Sequence, residues 1–174
     1  YAILTSNPLM GDGTALFHAT HKNLLTGAGI STAAIDAMRV KMATQKDAGD
    51  KAHALNIRLA HLLVPMALEG VANVARDSEF EVGGNNDKTT PNSVRGTFDV
   101  ISDARLDATS SAEWYGAANS MSHDTIEVSY LDGNDTPYLE SKDGWNVDGV
   151  EMKVRIDAAV SPLDFRTMAK NPGA

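Results

Sequence analysis

Val150-Glu151-Met152-Lys153-Val154-Arg155-Ile156-Asp157 alternates apolar and charged side chains without a break, and no other stretch of the chain restricts the fold so tightly. A period of two puts all the apolar side chains on one face of an extended strand and all the charges on the other. Asp148-Gly149 stands directly before it and suits a tight two-residue hairpin turn. That turn predicts Val147 opposite Val150 and Trp145 opposite Met152 on the buried face, with Glu151, Lys153, Arg155 and Asp157 facing water. One dry face and one wet face argue for an antiparallel ribbon and against a doubly wound parallel sheet.

The rest of the chain supplies helices first and strands later. Residues 2–25 mix turn chemistry, Asn7-Pro8 and Gly11-Asp12-Gly13, with short apolar pieces, and read as loop with short strands. Ser31 is a good N-cap, and Ile35, Met38 and Met42 recur at helical spacing, which predicts a helix over 32–45. Leu55-Asn56-Ile57-Arg58-Leu59 alternates and continues into Leu62-Leu63-Val64-Pro65, a predicted strand ended by proline. A second helix is predicted over 66–76, with Leu68, Val71, Ala72 and Ala75 as its apolar side. Residues 83–96, rich in Gly, Asn, Asp, Thr and Pro, have almost nothing to bury and predict a long exposed loop. Phe98-Asp99-Val100-Ile101 and Thr125-Ile126-Glu127-Val128-Ser129-Tyr130 suit strands, and Asp132-Gly133-Asn134-Asp135 suits a turn. Two main helices and a mostly antiparallel sheet define an α+β class. At 174 residues, residues 1–174 are expected to form a single domain with an adequate core.

Several function classes are disfavoured by composition. With 15 Lys and Arg against 23 Asp and Glu, and no basic stretch to follow a phosphate backbone, sequence-specific nucleic-acid binding is not expected. The chain has no cysteine, hence no disulfide, thiol nucleophile or thiolate metal site. No apolar run approaches the roughly 20 residues of a membrane span, no signal-peptide layout opens the chain, and a soluble protein without membrane partners is expected. The first residue is Tyr1, consistent with trimming from a longer parent.

Candidate chemistry is sparse. His18 and His21 would share a metal only on a helix with a carboxylate such as Asp12 nearby, and a turn-and-strand context works against it. The bland expectation is one histidine anchoring a loop and one exposed. Asp132-Gly133-Asn134-Asp135 lacks the later glycine and glutamate of a calcium loop. There is no phosphate loop, dinucleotide fingerprint or serine-nucleophile elbow. No catalytic, cofactor-binding or metal residue is assigned, and no enzyme activity is expected.

Taken in order, Asp12-Gly13-Thr14-Ala15-Leu16-Phe17-His18-Ala19-Thr20-His21-Lys22-Asn23-Leu24, Gln45-Lys46-Asp47, Leu55-Asn56-Ile57-Arg58 and Leu62-Leu63-Val64-Pro65 resemble tailed-bacteriophage major capsid proteins of the Mu-like and prohead protease–major capsid fusion branch. Asp103-Ala104-Arg105-Leu106, Trp114-Tyr115, Ile126-Glu127-Val128-Ser129-Tyr130-Leu131-Asp132-Gly133, Lys153-Val154-Arg155-Ile156-Asp157 and Asp164-Phe165-Arg166 extend the likeness over nearly the whole chain. The resemblance implies the Hong Kong 97 fold, of which this chain would be the C-terminal portion: the axial domain plus returning peripheral strands. It implies a structural subunit of a phage or prophage icosahedral head, assembled in the bacterial cytoplasm from capsomer pentamers and hexamers, with a scaffold or prohead protease as further partners. The loop at 83–96 would be a contact element, and deleting residues 84–93 is expected to spare the fold while impairing assembly. Two alternatives stand beside it: a fusion whose peptidase activity lies upstream, and a small metal- or ligand-binding module around His18 and His21.

Overall fold

The computed structural model describes residues 1–47, 53–81, 90–144 and 148–174. Among them are four α-helices, α1 (Ala2–Ser6), α2 (Thr32–Ala43), α3 (Glu69–Asp77) and α4 (Ala104–Asp107). The strands are β1 (Leu59–Val64), β2 (Asp99–Ser102), β3 (Trp114–Ala118), β4 (Ile126–Tyr130), β5 (Tyr138–Asp143), β6 (Val150–Arg155), β7 (Ala158–Pro162) and β8 (Met168–Asn171). The class is α+β with mostly antiparallel pairing, as the sequence predicts. The chain divides into two compact units, one of Tyr1–Thr125 with Pro162–Ala174 and the other of Ile126–Ser161.

In the first unit a four-stranded sheet runs β2-β1-β3-β8. β1 and β2 are parallel, while β3 runs antiparallel to both β1 and β8. Successive residues of a strand face opposite ways, and here both faces are covered. Leu62, Val64, Trp114 and Ala169 point into a core shared with Ile35, Met38 and Met42 of α2 and with Ala72 and Ala75 of α3. Tyr115 and Met168 point into a second core with Ile3, Leu4, Leu16, Phe17 and Leu106. Each large side chain so buried stabilises the fold by about 1.5–3 kcal/mol relative to exposure.

Helix α2 starts where Ser31 predicts: its Oγ accepts the Ala34 N–H at 3.2 Å. The helix ends at Ala43, two residues short of the predicted end. The second predicted helix opens as a 3₁₀ turn, Met66–Leu68, before α3 proper. Ala72 and Ala75 are buried as predicted, whereas Val71 is exposed. The strand predicted from Leu55 to Val64 is present as β1 from Leu59 onward, and residues 55–58 are corrected. Asn56 adopts a left-handed conformation (φ 54°) that breaks the extended backbone, and its N–H bonds the Ala43 carbonyl at 3.0 Å.

Of the predicted loop, residues 82–89 lie outside the described residues. Farther along, Thr90 and Asn92 exchange backbone hydrogen bonds with Glu81 and Glu79, and Val94 is fully buried in the first core. Asn92 Nδ2 also donates to the Ala75 and Ser78 carbonyls at 2.7 and 3.0 Å, satisfying the C-terminal end of α3. Deletion of 84–93 would therefore remove a helix cap along with the loop, and a deletion confined to 84–89 is the cleaner version.

Gly116 faces the side chains of Met38 from α2 and Leu59 from β1. A Cβ there would fall 2.7 Å from Leu59 Cδ1 and closer still to the Met38 sulfur. Gly116→Ala is expected to cost about 1–3 kcal/mol by overpacking, read as a lower urea midpoint with an unchanged slope.

Candidate assembly surface

His18 and His21 have different surroundings, one exposed and one anchored by hydrogen bonds. His18 is exposed, and its Nδ1 lies 3.0 Å from the Thr20 hydroxyl. His21 is 3% exposed. Its Nδ1 lies 3.0 Å from the Leu16 carbonyl and its Nε2 2.8 Å from Asp12 Oδ2, while its ring stacks on Phe165 with centroids 3.9 Å apart. Both ring nitrogens are thus engaged by protein oxygens. Asn23 Nδ2 donates to the Leu16 and Phe165 carbonyls, and Gln45 Nε2 donates to the His21 carbonyl. His21 is thus the hub of a clip that ties residues 12–23 to the end of α2 and to the C-terminal segment. With both nitrogens engaged by the protein, it offers no lone pair to a metal. Among the described residues no three His, Asp or Glu side chains come together in a metal-holding arrangement.

The bond from His21, then the Thr14 N–H, holds the Asp12 carboxyl below its ordinary value of 3.8. A depressed carboxyl contributes stability that is present above its unfolded value and is lost as pH falls through the folded one. Asp12→Asn is therefore expected to lower the melting temperature at neutral pH and to flatten part of the loss below about pH 4, in melts recorded down to about pH 2.

The second unit has a different character: every described residue from 126 to 161 is exposed except the half-buried Gly144. β5 and β6 form an antiparallel ribbon, and β4 pairs with β7 in another two-stranded sheet. Leu131 N–H to Asp157 O and Leu163 N–H to Thr125 O bracket β4 and β7 and set their antiparallel sense. The predicted hairpin register is corrected here. Val150 pairs with Asp143 and Met152 with Ser141, and Gly144 N–H bonds Gly149 O at 2.8 Å. Asp148-Gly149 therefore lies at the end of a longer connection, of which residues 145–147, with the Trp145 and Val147 of the predicted pairing, are outside the described residues. The partner strand is Tyr138–Asp143, whose charges oppose those of β6: Glu140 faces Lys153 and Lys142 faces Glu151.

That register sorts the ribbon into two faces. On one, Glu140 and Lys153 approach to 3.9 Å and the Arg155 guanidinium lies 5.7 Å from the Tyr138 ring centroid. On the other, Leu139, Val150, Met152 and Val154, exposed by 73, 60, 82 and 63%, stand with Ser141 and Asp143. The amphipathic alternation is as predicted, but the predicted burial of Val150 and Met152 is corrected, because both are exposed. A two-stranded ribbon is marginal by itself in water, and a contiguous exposed apolar face marks an interaction surface. The sequence identified the face through Val150, Met152 and Val154; it missed Leu139, whose place follows only from the register.

A profile of the family described as phage capsid protein matches residues 1–171. No curated protein matches the chain significantly, and neither does any solved structure. With 171 of its 174 residues inside that match, the chain belongs to the phage capsid protein family.

Proposed function

We propose that this chain is a structural subunit of a phage or prophage icosahedral head and forms the axial-domain-like part of the Hong Kong 97 fold, with returning peripheral strands, in the Mu-like branch. In this reading residues 1–174 act as one domain in the shell, joined to neighbours in pentamers and hexamers assembled in the bacterial cytoplasm. A scaffold or prohead protease would act on the assembling shell, and no residue of this chain is given a catalytic, cofactor or metal role. The observation that carries the reading is the ribbon of residues 126–161. Its apolar side chains, Leu139, Val150, Met152 and Val154, are exposed and suit a contact with a neighbouring copy. A shell subunit requires such surfaces, because copies of one chain meet through repeated contacts that close by symmetry.

Expression from the complete reading frame, followed by negative-stain electron microscopy and light-scattering mass, tests this. Shells, tubes or five- and six-fold rings are expected. A small monodisperse species under all assembly conditions would overturn the reading. Replacing Val150, Met152 and Val154 together by Ser is expected to abolish particles while moving the melting temperature of the first unit little, since none of the three is buried.

A further inference from the structure

The strand that carries the ribbon's apolar side runs on into β7 with only Ile156 and Asp157 between. Side chains alternate along it, so Val150, Met152, Val154, Ile156, Ala158 and Val160 fall on one side, and Glu151, Lys153, Arg155 and Asp157 on the other. The Leu131–Asp157 and Leu163–Thr125 backbone bonds set Val128 opposite Val160. β4 therefore adds Ile126, Val128 and Tyr130 to the same side, as β5 adds Leu139. The two sheets of the second unit thus share one apolar face, and apart from the small Ala158 its nine side chains are all large and exposed.

Size points to the occupant. A fully buried aliphatic side chain removes about 60–120 Å² from water, so nine at these exposures offer about 500 Å². One side of a standard protein–protein interface is about 800 Å², a little over half of it apolar. The β5–β6 ribbon alone falls short of that, and the joint face meets it. A capsid protein meets copies of itself, and a face that is its own complement serves both partners of a two-fold contact. In the first unit the exposed large apolar side chains sit on separate elements, among them Val40 on α2, Val71 and Val74 on α3 and Ile101 on β2. We infer that two copies meet face to face through this side of residues 126–161, running in opposite directions. Asp143, at one end of the face, sets the direction. Copies running the same way would hold the two carboxylates about 10 Å apart, one sheet spacing, whereas opposite directions place them at opposite ends. The inference rests on the proposed shell role and names the surface through which two of its subunits meet.

Sedimentation equilibrium of the full chain, over a range of protein concentration and in about 0.05 and 0.5 M NaCl, tests this. A dimer that tightens severalfold with salt is expected, because residues 126–161 hold eight Asp and Glu against three Lys and Arg and two copies repel until screened. Val128→Ser with Val160→Ser, and separately Met152→Ser with Val154→Ser, should each weaken the dimer about tenfold or more. Val71→Ser with Val74→Ser on α3 should leave it unchanged. Because the chain has no cysteine, the contact can also be trapped without background. Ile156→Cys, at the centre of the face, should oxidise to a symmetric disulfide dimer, and Val150→Cys should crosslink to Val160→Cys in preference to itself. A monomer at every concentration overturns the inference. So does a dimer that survives both serine pairs on the face, or one that loosens in salt, the sign of a contact with a cationic surface of the first unit. Electron microscopy of the complete reading frame separates the two readings. Particles that persist with Val128→Ser and Val160→Ser sink the face-to-face contact and leave the shell role intact; salt-tightened, crosslinked dimers without particles do the reverse.

Discussion

Trp114 and Tyr115 are neighbours in β3, and because a strand turns successive side chains to opposite faces, they enter different cores. The first unit is organised about that pair. On one side Trp114 is fully buried among residues of α2 and α3, and its indole N–H donates to the Ala28 carbonyl at 3.0 Å. On the other, Tyr115 packs on Phe17, and its hydroxyl donates to Glu113 at 2.9 Å, where Lys170 also pairs. Burial, and then the adjacent Glu113 carboxylate, push the Tyr115 hydroxyl well above its usual range, which keeps it a proton donor. Gly116 follows at once, leaving room for Met38 to lie on the sheet. Three consecutive residues therefore set both layers and the spacing of the helix between them.

Legibility in the sequence follows the range of the physics. The N-cap at Ser31, the spacing of Ile35, Met38 and Met42, and the alternation of Val150, Met152 and Val154 are local signals, and the elements they predict are present. Asn56 defeats the pattern at 55–58 because one left-handed residue outweighs alternating hydrophobicity. The hairpin register went astray for a related reason. Asp-Gly permits a tight turn without requiring one, and β6 pairs instead with Tyr138–Asp143, which sets Glu140 opposite Lys153 and Lys142 opposite Glu151. The His21 clip was out of reach, since its ring partner Phe165 is remote in sequence and no spacing rule links them.

Alternation also reports an amphipathic strand without naming the molecule that covers its dry side. The same pattern that marks half-burial in a monomer marks an interface in an assembling protein, and only the exposure of Leu139, Val150, Met152 and Val154 distinguishes the two.

The bracket that closes β4 on β7 has a consequence for how the main sheet is completed. β8 must return to β3 across residues 119–167, and closing a flexible loop of that length costs entropy that grows with the logarithm of its length. Once Thr125 and Leu163 are joined through their backbones, only the connectors 119–124 and 164–167 remain to be ordered. Shortening the effective loop about fivefold recovers about 1–1.5 kcal/mol. The excursion thus brings the two ends of its own insertion together, so that the last strand of the sheet returns to its partner at the cost of a short loop.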